Sequence, residues 1–215
     1  MTIEYSGFKD ESLKLEPVLS TWLELNRYCV QNWEEDVPWR YNERATLSYF
    51  AGAIWRSGGF ALEEYSTQKS KSVGAEYSKK GRGDLWFELG CREYDVEAKF
   101  CRVLLTDPFK PEIEINKCIN KAVADISVSR QYDDRLGCGL AACALVIDVT
   151  AMGILSSDAE LEARLLAQWV AAVKSAGDAC AWFIRNDRKW PLFPDGAKPY
   201  LFHPGVAVIL KAVHR

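Results

Sequence analysis

Two strand-like runs separated by two residues constrain this chain more than any other feature. They are RGDLWFEL and REYDVEAKF, residues 82–89 and 92–100, joined by Gly90 and Cys91. A glycine at the first position suits a two-residue hairpin turn. That turn sets Leu89 opposite Arg92, Phe87 opposite Tyr94, Leu85 opposite Val96 and Asp84 opposite Glu97. Side chains alternate along a strand. Leu85, Phe87 and Leu89 therefore share an apolar face with Tyr94, Val96, Ala98 and Phe100. Asp84, Trp86 and Glu88 share the polar one with Glu93, Asp95, Glu97 and Lys99.

Like charges directly opposed across strands repel. A divalent cation between Asp84 and Glu97 turns that repulsion into coordination, and Lys99 then stands beside it to hold a water or a developing anion. Metal, activated water and ammonium together suit phosphodiester hydrolysis, which gathers negative charge at phosphorus. The same face also serves an ordinary hairpin whose polar side meets solvent, with Lys99 neutralising Glu97 or Asp95. The only two histidines, His203 and His214, are too few for a histidine-rich zinc site or a Ser-His-Asp triad. A metal here is expected to rest on carboxylates, hence Mg²⁺ or Mn²⁺.

The rest of the chain reads as helices over about 12–33 and 42–57, with Asn42 as N-cap and Gly58-Gly59 as stop. A strand FALEEYS and an exposed Lys/Ser/Gly-rich loop over 66–83 come before the hairpin. After it come a helix over about 112–132, a buried strand LAACALVIDV, and a helix to about 176 opened by a Ser157/Glu160 capping box. A strand ACAWFIR, a long loop NDRKWPLFPDGAKP and a last strand GVAVILKAV complete the order. The fold class expected is α/β or α+β, a mixed sheet with helices on its faces, in one domain over 1–215.

No apolar run reaches the length of a membrane span and the N-terminus lacks a signal-peptide layout, so a cytoplasmic protein with no membrane partner is expected. Seven cysteines without a CxxC pair read as small core residues rather than a disulfide framework. Trp39, Trp55, Trp86 and Trp190 read first as core, with Trp86 also able to line a cleft, and Cys91 as incidental. The net charge of −3 is unevenly spread. Residues 65–83 carry Lys69, Lys71, Lys79, Lys80 and Arg82 against Glu76, a local +4, while the first 43 residues hold nine acids against four bases, −5. The basic run is expected either to solubilise a loop or to neutralise phosphates beside a scissile bond.

Asp84 followed by Glu97-Ala98-Lys99, after a helix bearing Glu43 and a strand bearing Glu63 and Glu64, resembles the PD-(D/E)XK nuclease superfamily, the restriction-endonuclease-like fold. The resemblance covers about residues 40–150 in αβββαβ order. It implies a nuclease-like core at 41–150, an N-terminal helical extension at 1–40, and a C-terminal helix and strands at 151–215 that complete the sheet. It further implies a Mg²⁺- or Mn²⁺-dependent endonuclease, a hydrolase cutting DNA, with RNA also open as substrate. Asp84, Glu97 and Glu43 would be the metal ligands, and Lys99 would position the attacking water. Lys69, Lys71, Lys79, Lys80 and Arg82 would contact nucleic acid. Gly83 stands where the family name has proline, and the next helix offers Asn116, Lys117, Asn120 and Lys121 rather than a Gln-x-x-x-Tyr motif. Whether Glu63 or Glu64 joins the site stays open. A homodimer or protein partner fits the resemblance. The competing expectation is a catalytically inactive nuclease-fold protein acting in binding or assembly. A glycosidase using Asp84 and Glu97 as acid and base ranks last, because it leaves Lys99 and the basic run unexplained.

Overall fold

The computed structural model describes residues 5–33, 36–72, 75–76, 79–105, 108–129, 135–148, 159–185 and 201–213. Ser157 of the expected capping box, the loop at 186–199 with Trp190, and His214 lie outside them. The described elements run β1 Ser6–Asp10, α1 Glu16–Trp33, a 3₁₀ turn Pro38–Arg40, α2 Glu43–Arg56, β2 Phe60–Lys69, β3 Lys79–Leu89 and β4 Arg92–Leu104. They continue with α3 Pro111–Val128, β5 Arg135–Asp148, α4 Ala159–Ala176, β6 Ala179–Ile184 and β7 Leu201–Ala212. This is a mixed α/β protein: one seven-stranded sheet, ordered β1-β6-β7-β5-β4-β3-β2, with four α-helices among the described residues. No described helix is long and apolar enough to cross a membrane.

The β3–β4 hairpin has the register that its two-residue turn dictates, from Leu89 opposite Arg92 to Leu85 opposite Val96, with Gly90 at φ 62°. The connection from β4 to β5 passes through α3, and β4 and β5 run parallel, as a helical crossover requires. β5 is central and buried along almost its whole length. Its even-numbered residues Leu140, Ala142 and Ala144 join the core under α1 and α2, and its odd-numbered Ala141, Cys143 and Leu145 join the core under α3 and α4. Asn42 caps α2 through a hydrogen bond accepted from the Ala45 amide at 3.0 Å, and Gly58 at φ 82° ends it.

Three expectations need correction. Residues 6–10 are a strand, because their backbone pairs with β6 at the sheet edge; a five-residue segment with two charges carries no periodicity that announces this. Nine residues of the basic stretch 66–83, at 66–69 and 79–83, are strand as well. Thr67, Gln68 and Lys69 pair with Gly81, Lys80 and Lys79, which leaves only residues 70–78 between β2 and β3. Lysine-rich composition reads as loop, yet backbone pairing needs only that the lysine heads reach solvent. Finally, Trp55 is half exposed, edge-on to Phe60 at 4.5 Å, whereas Trp39 is buried as expected and donates to the His203 carbonyl at 3.1 Å.

Candidate active site

The β3–β4 ladder stops at Leu85 and Val96. From there β3 continues against β2, from Gly83 opposite Tyr65 to Lys79 opposite Lys69. β4 continues against β5 as far as Leu104 opposite Val146. The sheet forks, and Asp84 and Glu97 are the first residues past the fork. Amides of β4 that pointed toward β3 lose their ladder partners, and an unpaired buried amide is costly. A carboxylate takes one of them instead: Asp84 accepts the Ala98 amide at 2.7 Å. Glu43, at the start of α2, lies close enough for the Phe100 amide to favour its charged form.

The opposite flank of β4 runs along one stripe of α3. A cysteine, alanine, aspartate and serine at 118, 122, 125 and 129 fall on one helical face. Ser129 donates to Glu97 at 2.8 Å, and Asp125 pairs with Lys99 at 2.8 Å. Gly139 lets α3 come this close: a Cβ there would lie 2.6 Å from the Val123 amide nitrogen. Lys99 also donates to the Ala98 carbonyl at 2.7 Å.

Glu97 is only 2% exposed and is closed in by Lys69, whose Nζ lies 2.8 Å from Oε1 and 3.0 Å from Oε2. The lysine stem crosses Gly81, where a Cβ would be 2.9 Å from its Cγ. Gly83 serves Tyr65 in the same way: a Cβ there would meet the ring at 2.5 Å. The Tyr65 hydroxyl then donates to Asp95 at 2.7 Å. The glycines of KKGRGD are thus the floor over which two β2 side chains reach the acids of β4.

Fields within the cluster couple its members. Burial pushes Glu97 above the ordinary carboxylate range, with Asp84 adding to the shift while Lys69 and Ser129 oppose it. Burial likewise raises Glu43, against the pull of Lys99 and with the push of Asp84. Lys99 goes the other way from what burial alone would do, because Asp125, Asp84 and Glu43 together hold its ammonium charged. Asp84, Glu97, Lys99 and Glu43 are therefore brought into one neighbourhood.

As a donor set, three carboxylates with excess negative charge suit a hard divalent cation. Among the described residues, however, the one group of three or more ligand side chains whose donor atoms all lie within 4.8 Å of one another is Cys101, Cys118 and Cys143. The carboxylates surround the fork without converging to that degree, and both Glu97 oxygens carry donors.

The basic run divides. Lys71, Lys79 and Lys80 are exposed. Lys69 is turned onto Glu97, and Arg82 pairs with Glu64 at 2.7 Å. Arg44 also pairs with Glu64, which sits at φ 53°, and Ser48 donates to Glu63 at 2.8 Å. Both glutamates are exposed and engaged away from the fork. Asn116, Lys117, Asn120 and Lys121 lie on the exposed side of α3. Sequence reasoning missed Lys69, Asp125 and Ser129 as members of the cluster. The 118/122/125/129 spacing was a signal for the last two, whereas nothing local marks Lys69. In comparisons with known proteins, no family model, curated protein or solved structure matches this chain.

Proposed function

We propose that the chain is a metal-dependent nuclease of the PD-(D/E)XK kind, with β2–β3–β4–α3–β5 and the preceding α2 as its αβββαβ core. The observation that carries this reading is the fork, where Asp84 takes a freed amide of β4 and Glu43 lies within the fields of Asp84 and Lys99, while Glu97 and Lys99 stand on the same stretch of that strand. Bound by Asp84, Glu97 and Glu43, Mg²⁺ or Mn²⁺ would supply the Lewis acid that makes water a nucleophile near neutral pH. Lys99, kept charged by its acidic neighbours, orients the water and stabilises charge that grows at phosphorus. Lys71, Lys79 and Lys80, exposed beside the fork's β3 arm, neutralise DNA phosphates. RNA is the alternative polyanion. Lys69 has to leave Glu97 before that carboxylate can bind a cation.

The test is cleavage of linear, circular and single-stranded DNA by the pure chain with Mg²⁺, Mn²⁺ or EDTA, beside Lys99→Ala. Metal-dependent cutting that disappears in the variant supports the reading; equal cutting by the variant removes Lys99 from the chemistry. One observation favours a second reading, an inactive nuclease-like binding or assembly module: Lys69 and Ser129 already satisfy Glu97. Calorimetry that detects no Mg²⁺ or Mn²⁺ binding, together with no cleavage of any substrate, selects this one.

A further inference from the structure

Three cysteines far apart in the chain meet beside the fork. Cys101 on β4 and Cys143 on β5 are register partners across the parallel pair, with sulfurs 3.4 Å apart. Cys118 comes down on them from α3, and all three sulfurs lie within 4.8 Å of one another. All three are free thiols. Tetrahedral zinc with Zn–S bonds of about 2.3 Å separates its sulfurs by roughly 3.8 Å. The 3.4 Å separation of Cys101 and Cys143 and the 4.8 Å limit on the other two bracket that value, so a metal needs only small side-chain adjustments.

We infer that Cys101, Cys118 and Cys143 form a zinc site, independent of the carboxylates and of any nuclease activity. Soft thiolates select zinc or Cu⁺ over Mg²⁺. Charge favours zinc: three thiolates leave a net −1 with Zn²⁺ but −2 with Cu⁺. The neighbouring cations are Lys99 and Lys121, whose fields favour the Cys118 thiolate, and Lys99 is already engaged by Asp125. The ligand group has three members among the described residues, which leaves one coordination position for water or an outside ligand, on the side where Cys101 is only half buried. Zinc there ties α3 to β4 and β5 at the end of the stripe whose other end holds Asp125 and Ser129 against Lys99 and Glu97. The alternative is that the three are simply small apolar core residues.

The experiment titrates the reduced, metal-free full chain with Co²⁺ and then Zn²⁺. One equivalent of Co²⁺ with thiolate-to-metal charge transfer in the near ultraviolet, bleached by one equivalent of Zn²⁺, is expected. Cys101→Ser, at the most accessible ligand, is expected to weaken Zn²⁺ binding by at least the roughly 10–100-fold that losing a group supporting a ligand costs, and Cys91→Ser, at the exposed hairpin turn, to leave it unchanged. A wild-type chain without the charge-transfer band overturns the site, as does Zn²⁺ affinity in Cys101→Ser equal to that of the wild type. Since the readout is metal binding and not cleavage, it stands or falls apart from the nuclease reading.

Discussion

Asp95 and Glu97 are two residues apart on one face of β4, nearly or fully buried, and both pushed up by burial, yet their surroundings differ in kind. Asp95 sits where β3 and β4 are still paired. Tyr65 donates to its Oδ1 at 2.7 Å and Arg135 at 3.3 Å, and Arg135 also pairs with Glu93 at 2.8 Å while lying over the Trp86 ring. Trp86 closes the circuit by donating to Glu93 at 3.0 Å. Glu97 sits one pleat further, past the fork, where its partners come from the far end of β2 and the end of α3. The first cluster draws on β2, β3, β4 and β5, consecutive strands of the sheet, and is centred where β3 and β4 are still paired. The second spans elements that the fork has separated. A buried acid is a structural member or a candidate ligand according to whether the sheet around it is closed.

The largest expected effects separate the two clusters by readout. Asp84→Asn and Lys99→Ala should each reduce metal-dependent cleavage by about 10²–10³-fold with little change in Tm, because a lost transition-state contact is worth that much. Asp95→Ala should do the reverse. It leaves Arg135 and Tyr65 without their buried acceptor and should cost about 3 kcal/mol in urea unfolding, with cleavage per folded molecule kept within a few-fold. If Asp95→Ala abolishes cleavage without loss of stability, the division between the clusters is wrong.

A smaller effect tests the glycine floor. Gly83→Ala drives a methyl into the Tyr65 ring and should cost about 1–3 kcal/mol by chemical unfolding. Lys69→Met keeps the stem over Gly81 but removes the cation that competes for Glu97. It should tighten Mg²⁺ binding by roughly tenfold in calorimetry, the size of one modest charge interaction. Weaker binding would make Lys69 a supporting member of the site instead.

The subtlest effect is in pH. The native pKa of Glu97 is raised above its unfolded value, so the wild type loses stability as pH rises from the ordinary carboxylate value through the raised one. Metal-free Glu97→Gln should therefore be more stable than the wild type at neutral pH, and thermal unfolding should show the gap closing as pH falls through that window. A gap that widens on acidification would mean that Lys69 and Ser129 outweigh burial.

The hairpin and its register were legible in the chain alone, since period-two alternation and a two-residue turn leave one pairing that puts the apolar side chains other than Trp86 on one face. So were the bounds of most helices, because Asn42, Gly58 and helical spacing are local signals. That Asp84, Glu97 and Lys99 would lie close together followed from that register, although the β3–β4 ladder ends at Leu85 and Val96, one residue short of the expected Asp84–Glu97 pair. The fork did not, because it depends on how far β3 follows β2 after leaving β4, and lysine-rich backbone pairs as readily as any other. Nor did the roles of Lys69, Asp125 and Ser129, or the meeting of Cys101, Cys118 and Cys143. Lys69 meets Glu97 only because β2 follows β3 past the fork, and Asp125, Ser129 and the cysteines meet their partners only after α3 has crossed from β4 to β5; the helical spacing at 118, 122, 125 and 129 marks a face but not what it packs against. Short-range sterics and periodicity write elements into a sequence; which charges and sulfurs face one another is decided by packing.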